Sequence, residues 1–132
     1  MSIFTKILNG EIPGDIVYED NDFFAILDIS PVNKGHVLVI PKKEYEDFTM
    51  IPDDLMGKYF VVAKKIGNTL LKLGFDGFNI IMNTKKAAGQ VVFHAHIHVI
   101  PRIDGDGLKT WPSKKYDEGE AKVFASKIKN LI

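Results

Sequence analysis

The sequence predicts an α+β fold: an antiparallel sheet of five strands, one long helix, and shorter helices at the two ends. Three observations carry this. Five short runs rich in Val, Ile, Leu and Phe are spread along the chain, at 15–20, 23–29, 35–41, 77–83 and 90–101. Only residues 53–73 hold a helical period over several turns. The strands and helices do not alternate as parallel crossover units would, so antiparallel neighbours are expected.

Each element has its own reason. In "IFTKILNG", residues 3–10, Ile3, Phe4, Ile7 and Leu8 share one helical face, and Gly10 suits a left-handed cap. The runs "DIVYED" and "FFAILDI" are separated by Asp20-Asn21-Asp22, which reads as a hairpin turn. "GHVLVIP" is a third strand, bounded by Gly35 and Pro41. Pro52-Asp53-Asp54 opens the long helix, with Asp as its expected N-cap. Leu55, Tyr59, Val62, Ile66, Leu70 and Leu73 step by three or four and form its buried stripe, and Gly74 ends it. "GFNIIMN" and "QVVFHAHIHVIP" are strands four and five, joined by the polar loop "TKKAAG". A last helix at about 118–131 carries Glu118 and Glu120 early and Lys127 and Lys129 late, an order that suits the helix dipole.

Composition narrows the function. Seventeen Lys+Arg against 17 Asp+Glu give a net charge of +0, so no general attraction to nucleic acid or an anionic membrane is expected. The 132 residues fit one domain, 1–132, without an internal repeat. Zero cysteines exclude disulfides, thiolate metal sites and a cysteine nucleophile. The longest apolar run, "YFVVA", is far shorter than a membrane helix, and residues 1–13 lack the apolar core of a leader. A soluble, cytoplasmic protein is expected.

The histidines stand out. Of four, three stand at alternate positions, His94, His96 and His98, and the fourth is His36. At this composition the triplet would arise by chance in roughly 0.004 sequences. On a strand, His94, His96, His98 and Ile100 would share one face, and Phe93, Ala95, Ile97 and Val99 the other, packed on helices. Three readings are open. The imidazoles could decorate an idle solvent face, although such a face would also draw on Lys, Thr, Glu and Ser. Neighbouring pairs, about 7 Å apart at Cα, could share a zinc ion, with His36 or a carboxylate completing the set. Or one imidazole, its N–H held by a carbonyl, could aim its other nitrogen outward as a nucleophile while its neighbours donate to phosphate oxygens.

"HAHIHVI" resembles the alternating His signature of the histidine triad (HIT) superfamily of nucleotide hydrolases and transferases. "IFTKILNGEIP", "VYEDNDFFAILDISPVNKGHVLVIPKK", "GFNIIMN" and "AAGQVVFHAHIHVIPR" follow the family's order and spacing, so the resemblance covers residues 3–102. The N-terminal half is more similar to the Hint branch, the histidine triad nucleotide-binding proteins. The Pro-Arg after the triad resembles the fragile-histidine-triad branch.

The resemblance implies a HIT-like fold, a symmetric homodimer and, as partner, a purine nucleotide or nucleotide conjugate, with no cofactor. It implies cleavage of a phosphoramidate or phosphoanhydride bond beside a nucleoside monophosphate. His96 would attack the α-phosphate and become the nucleotidyl-histidine. The His94 carbonyl would fix the tautomer of His96, His98 would bind phosphate oxygens, and His36 would face the triad. Asn83, Gly89 and Gln90 match phosphate-contacting positions, and Asp28 matches the ribose carboxylate. Ile3, Phe4, Ile7, Ile12, Ile29 and Leu38 match the base pocket. Each has a plainer use too: Phe4, Ile7 and Leu38 as core, Asp28 as a turn residue, Asn83 and Gly89 as loop shapers.

Three positions depart from the family pattern. Many bacterial relatives bind zinc through Cys-x-x-Cys and a histidine after "PKK"; here Ser2, Thr5 and Glu44 stand there, and no zinc is expected. Val91 replaces a hydroxyl residue that serves the phosphate and leaving group, which favours the alternative of a nucleotide-binding regulatory module with little turnover. The family's terminal tryptophan motif has no clear match, although Trp111 could serve a neighbouring pocket.

Overall fold

A computed structural model describes residues 1–132. Its elements run α1 (Ile3–Leu8), β1 (Ile16–Glu19), β2 (Phe23–Leu27), β3 (Val37–Pro41), α2 (Asp53–Lys72), β4 (Gly77–Ile81), β5 (Ile97–Arg102) and α3 (Glu120–Leu131). Short 3-10 turns lie at Phe48–Met50 and Lys86–Ala88. The five strands form one sheet in the order β1-β2-β3-β5-β4, every neighbouring pair antiparallel.

The register sorts side chains onto two faces. Ala25, Val39 and Ile97 stand opposite one another on β2, β3 and β5. With Phe23, Val37 and Val99 they meet Tyr59, Val62, Ala63, Ile66 and Leu70 of α2 in the main core. Tyr59 is fully buried; its ring stacks on Phe23 at 5.0 Å and its hydroxyl donates to the Val39 carbonyl at 2.8 Å. The single polar atom of that ring thus reaches a partner, as burial demands. One residue out of phase, Ile26, Leu38, His98 and Ile81 form a row on the other face. There Phe24, Ile26, Leu38 and Ile40 pack against Phe4 and Ile7 of α1. This second, smaller cluster carries the histidines at its margin.

The structure corrects several expectations. Strand five is shorter than residues 90–101: the ladder starts at Ile97, so His94 and His96 precede it. Ala95, Ile97 and Val99 are buried against α2 as the alternation requires, but Phe93 is half exposed because the chain there has left the sheet. The long helix has Pro52, not Asp, at its N-cap and no side-chain cap; Asp53 and Asp54 lie in the first turn, where their charge suits the dipole. Leu73 falls off the buried stripe because the helix ends at Lys72, and it is exposed. Glu118 lies before α3, whose N-cap is Gly119. No helix is long and apolar enough to cross a membrane.

Candidate active site

His96 sits between the sheet and α1, 9% exposed. Its Nδ1 is 2.8 Å from the backbone carbonyl of His94, an atom that only accepts, so Nδ1 carries the proton. Nε2 is left with its lone pair and makes no bond within the chain. No buried side-chain N or O in the protein lacks a partner, so this unpartnered nitrogen reaches solvent. Phe4 walls the ring edge-on, with centroids 5.0 Å apart. The nitrogen is therefore neutral, aimed and open, the state a nucleophile needs.

A second chain of hydrogen bonds fixes the neighbouring rings. The Val32 N–H, which can only donate, lies 3.1 Å from Nδ1 of His36, so that nitrogen accepts. The proton of His36 is then on Nε2 and is donated to Nδ1 of His98 at 2.9 Å. His98 must in turn hold its own proton on Nε2, which has no partner within the chain. One backbone amide thereby turns His98 into a hydrogen-bond donor beside the open nitrogen of His96, the two ring centroids being 4.9 Å apart.

All four imidazoles are held below the ordinary histidine pKa, chiefly by burial. His98 falls furthest, to about 4, because His96 and His36 add their repulsion. At neutral pH the cluster is uncharged, which matches the tautomers derived above.

Asp28 closes the group. Its Oδ1 accepts the Ser30 N–H, an Asx turn, while Oδ2 lies 3.7 Å from Nε2 of His36. Ligand atoms of Asp28, His36 and His98 lie within 4.8 Å of one another, the spacing of a metal site. The donor set argues against one. A cation on Nε2 of His36 would force the proton onto Nδ1, where it would face the Val32 N–H. His94 is no freer: Nε2 donates to the Pro41 carbonyl at 2.7 Å and Nδ1 accepts from the Ser2 hydroxyl at 2.6 Å.

The remaining expected residues fall into three groups. Phe4, Ile7 and Leu38 are buried in the second cluster, with Ile12 half-buried against it, so they also serve as core. Ile3 and Ile29 are exposed, Ile29 at 85%. Asn83, Gly89, Gln90 and Val91 lie on the β4–β5 loop. Gly89 is left-handed, φ +93°, and a Cβ there would stand 3.7 Å from Nδ2 of Asn83. The Gln90 side chain is turned inward: Oε1 accepts the Lys85 N–H, and Nε2 donates to the carbonyls of Glu46 and Val92. Its backbone N–H and that of Gly89 are spent within the loop as well. The amides of Val91 and Val92, next along the loop, make no hydrogen bond within the chain.

Sequence reasoning missed what holds this loop. Lys85 adopts φ +71°, unusual for a side-chain-bearing residue, and its ammonium lies 2.8 Å from buried Asp47. Lys85 and Thr49 hold the Asp47 carboxyl down to about 2. The pairing joins residues 38 apart, and no local pattern announces it. Trp111 stands at a groove of about 490 Å³ that includes Ile81 and Ile100 and so opens on the histidine face of the sheet.

The HIT domain matches residues 9–105 of this chain. An uncharacterized HIT-like protein of Methanocaldococcus jannaschii is 55% identical over 107 residues, 81% of this chain and 83% of that protein. The adenosine 5'-monophosphoramidase of Candida albicans is 36% identical over 138 residues, 98% of this chain and 90% of that one. A solved structure of a HIT family member from Bacillus subtilis superposes with a TM-score of 0.88 at 38% identity, covering 99% of this chain and 96% of that one. The match spans β1 to β5 and includes every histidine of the site, so this chain belongs to the HIT family.

Proposed function

We propose that the chain is a nucleotide hydrolase or transferase that cleaves a phosphoramidate or phosphoanhydride bond next to a nucleoside monophosphate. The observation that carries this is His96, its Nδ1–H bound to the His94 carbonyl and its Nε2 lone pair open to solvent. In the first step Nε2 bonds to the α-phosphorus and the bond to the leaving group breaks, its electron pair going with that group. An anionic leaving group departs as such, and an amine takes its proton from water. The ring becomes a nucleotidyl-imidazolium, and the His94 carbonyl steadies its remaining N–H. Water then attacks phosphorus and releases a proton to solvent, which replaces the one taken by a departing amine; the pair returns to Nε2, and nucleoside monophosphate leaves.

His98 Nε2–H and the free amides of Val91 and Val92 supply hydrogen bonds to the phosphate oxygens, with Asn83 beside them. One such donor is typically worth ~3 kcal/mol of barrier, about a hundredfold in rate. Phe4, Ile7, Ile12, Ile29 and Leu38 are the base-pocket residues of this reading, and Asp28 Oδ2 is the ribose acceptor. Candidate substrates are nucleoside phosphoramidates, aminoacyl adenylates and dinucleoside polyphosphates.

Stereochemistry tests the mechanism. With a substrate chiral at the α-phosphorus, two displacements give retention and direct attack by water gives inversion. Inversion, or near-normal turnover by His96→Ala, sinks the covalent reading. Val91, apolar and 85% exposed at the loop tip, favours the second reading of a nucleotide-binding module with little turnover. Tight AMP binding without turnover of any of the three substrate classes would establish it.

We also infer a homodimer. β4 is an open sheet edge, and α3 buries none of its residues. Val123, Phe124, Ile128 and Leu131 leave an apolar stripe on that helix that stays exposed, touched in its own chain by Tyr116 at the Phe124 ring. Sedimentation as a monomer at micromolar concentration would refute this.

A further inference from the structure

We propose that Ser2, Thr5 and Glu44 form a metal-free clamp on His94 that positions the nucleophile, His96. The proposal rests on His96 being that nucleophile and names the residues that hold it in its reactive tautomer.

The clamp starts at one carboxylate. Oε1 of Glu44 accepts the Ser2 backbone N–H at 2.6 Å and the Thr5 hydroxyl at 2.6 Å. These two bonds tie the first turn of α1 to the chain just after β3. Ser2 is also the N-cap of α1, its Oγ accepting the Thr5 N–H at 3.2 Å. The Ser2 hydroxyl gives its proton to Nδ1 of His94 at 2.6 Å, a far shorter approach than its 3.4 Å to the Thr5 hydroxyl. The far side of that ring donates to the Pro41 carbonyl at 2.7 Å. His94 is completely buried and both of its nitrogens are engaged.

A ring fixed at both nitrogens fixes its own backbone. The His94 carbonyl, bonded to Nδ1–H of His96, belongs to a residue whose side chain cannot turn. The next residue is tied as well, the Ala95 N–H donating to the Tyr45 carbonyl at 2.7 Å. Glu44 and Tyr45 thus hold both ends of the peptide unit that presents the carbonyl to His96. The same first turn carries Phe4, whose ring lies 5.0 Å from that of His96 and 5.8 Å from that of His94.

These positions are those at which the zinc-binding pattern would have two cysteines and a histidine. The donors here do not suit zinc, which takes thiolate, imidazole and carboxylate ligands. Two are hydroxyls whose protons are committed to Glu44 and His94, and the His94 lone pair is spent on Ser2. Hydrogen bonds do here the mechanical work that coordination would do. Ser2 and Glu44 touch no reacting atom; they are positioning residues.

The test reads the His96 tautomer by nitrogen-15 NMR in the free protein, together with kcat and KM on adenosine 5'-phosphoramidate. Ser2→Gly is the main variant, because glycine at an N-cap costs only a few tenths of a kcal/mol while the hydroxyl is lost. Glu44→Ala removes the anchor from the other end. In both, His96 is expected to populate its Nε2–H tautomer and kcat to fall about tenfold with KM within twofold of wild type. That fall matches one lost hydrogen bond. Ser2→Thr keeps the hydroxyl and restores both readouts. A His96 that stays in its Nδ1–H tautomer in folded Ser2→Gly and Glu44→Ala overturns the clamp. If instead the wild type turns over neither the phosphoramidate nor the other two substrate classes, the proposed function fails, and the tautomer still decides the clamp.

Discussion

Replacing His36 by alanine tests the chain of tautomers that makes His98 a donor. His36 is 2% exposed and bridges the Val32 N–H to Nδ1 of His98 over 3.1 and 2.9 Å. Truncation leaves the part-buried Val32 amide and one imidazole nitrogen without their partners. At about 1 kcal/mol or more for each, plus the cavity left by the ring, we expect a loss of ~2–4 kcal/mol in stability. The catalytic effect is separate. Without the His36 proton, Nδ1 of His98 can take the ring's own, and Nε2 becomes an acceptor facing phosphate oxygens. Losing that donor should lower kcat about a hundredfold, or ~3 kcal/mol. His36→Gln keeps an amide N–H that can reach Nδ1 of His98 and should recover most of the rate. Urea denaturation gives the stability term, nitrogen-15 shifts of His98 give the tautomer, and single-turnover kinetics give the rate. If His98 keeps its Nε2 proton in His36→Ala and kcat is within threefold of wild type, the relay does not set the donor.

Three further outcomes are expected. The histidine cluster titrates lower in the folded than in the unfolded chain, so the unfolded chain binds more protons just below neutrality. Stability should therefore fall as pH drops from about 6.5 towards about 4, where His98 titrates, and be insensitive to these groups above about 7.5; a urea midpoint that does not fall between pH 7 and 5.5 would contradict the sign. Gly67→Ala would place a Cβ 2.4 Å from the Phe78 ring in the contact between α2 and β4 and should cost ~1–3 kcal/mol, partly relieved by Phe78→Leu; an unchanged melting temperature would show that the contact yields freely. Purified wild-type protein should hold no stoichiometric zinc by elemental analysis, whereas the triple variant Ser2→Cys, Thr5→Cys, Glu44→His should hold one per chain with His94 as fourth ligand; one tightly bound zinc in the wild type would refute the hydrogen-bonded reading.

The sequence by itself determined the sheet, the long helix and the histidine cluster. Alternation and helical period are local properties of a chain, and they place Ala25, Val39, Tyr59 and Ile66 in the core. The three alternating histidines are also a local pattern and mark the site before any contact is known, while the choice of His96 among them rests on the resemblance to the HIT family. What tertiary structure decided is every proton. The tautomer of His98 depends on Val32 and His36, more than sixty residues earlier, and the pose of His94 on Ser2 and Glu44. The same holds for Gln90, expected on the phosphate and found holding the loop to Glu46. The length of strand five was decided there too: the histidine alternation continues back to His94, but β3 pairs only from Ile97 onward. Period and composition report which face a residue occupies. A hydrogen bond has direction and needs a partner within about 3 Å, so its proton is assigned only when distant segments have met.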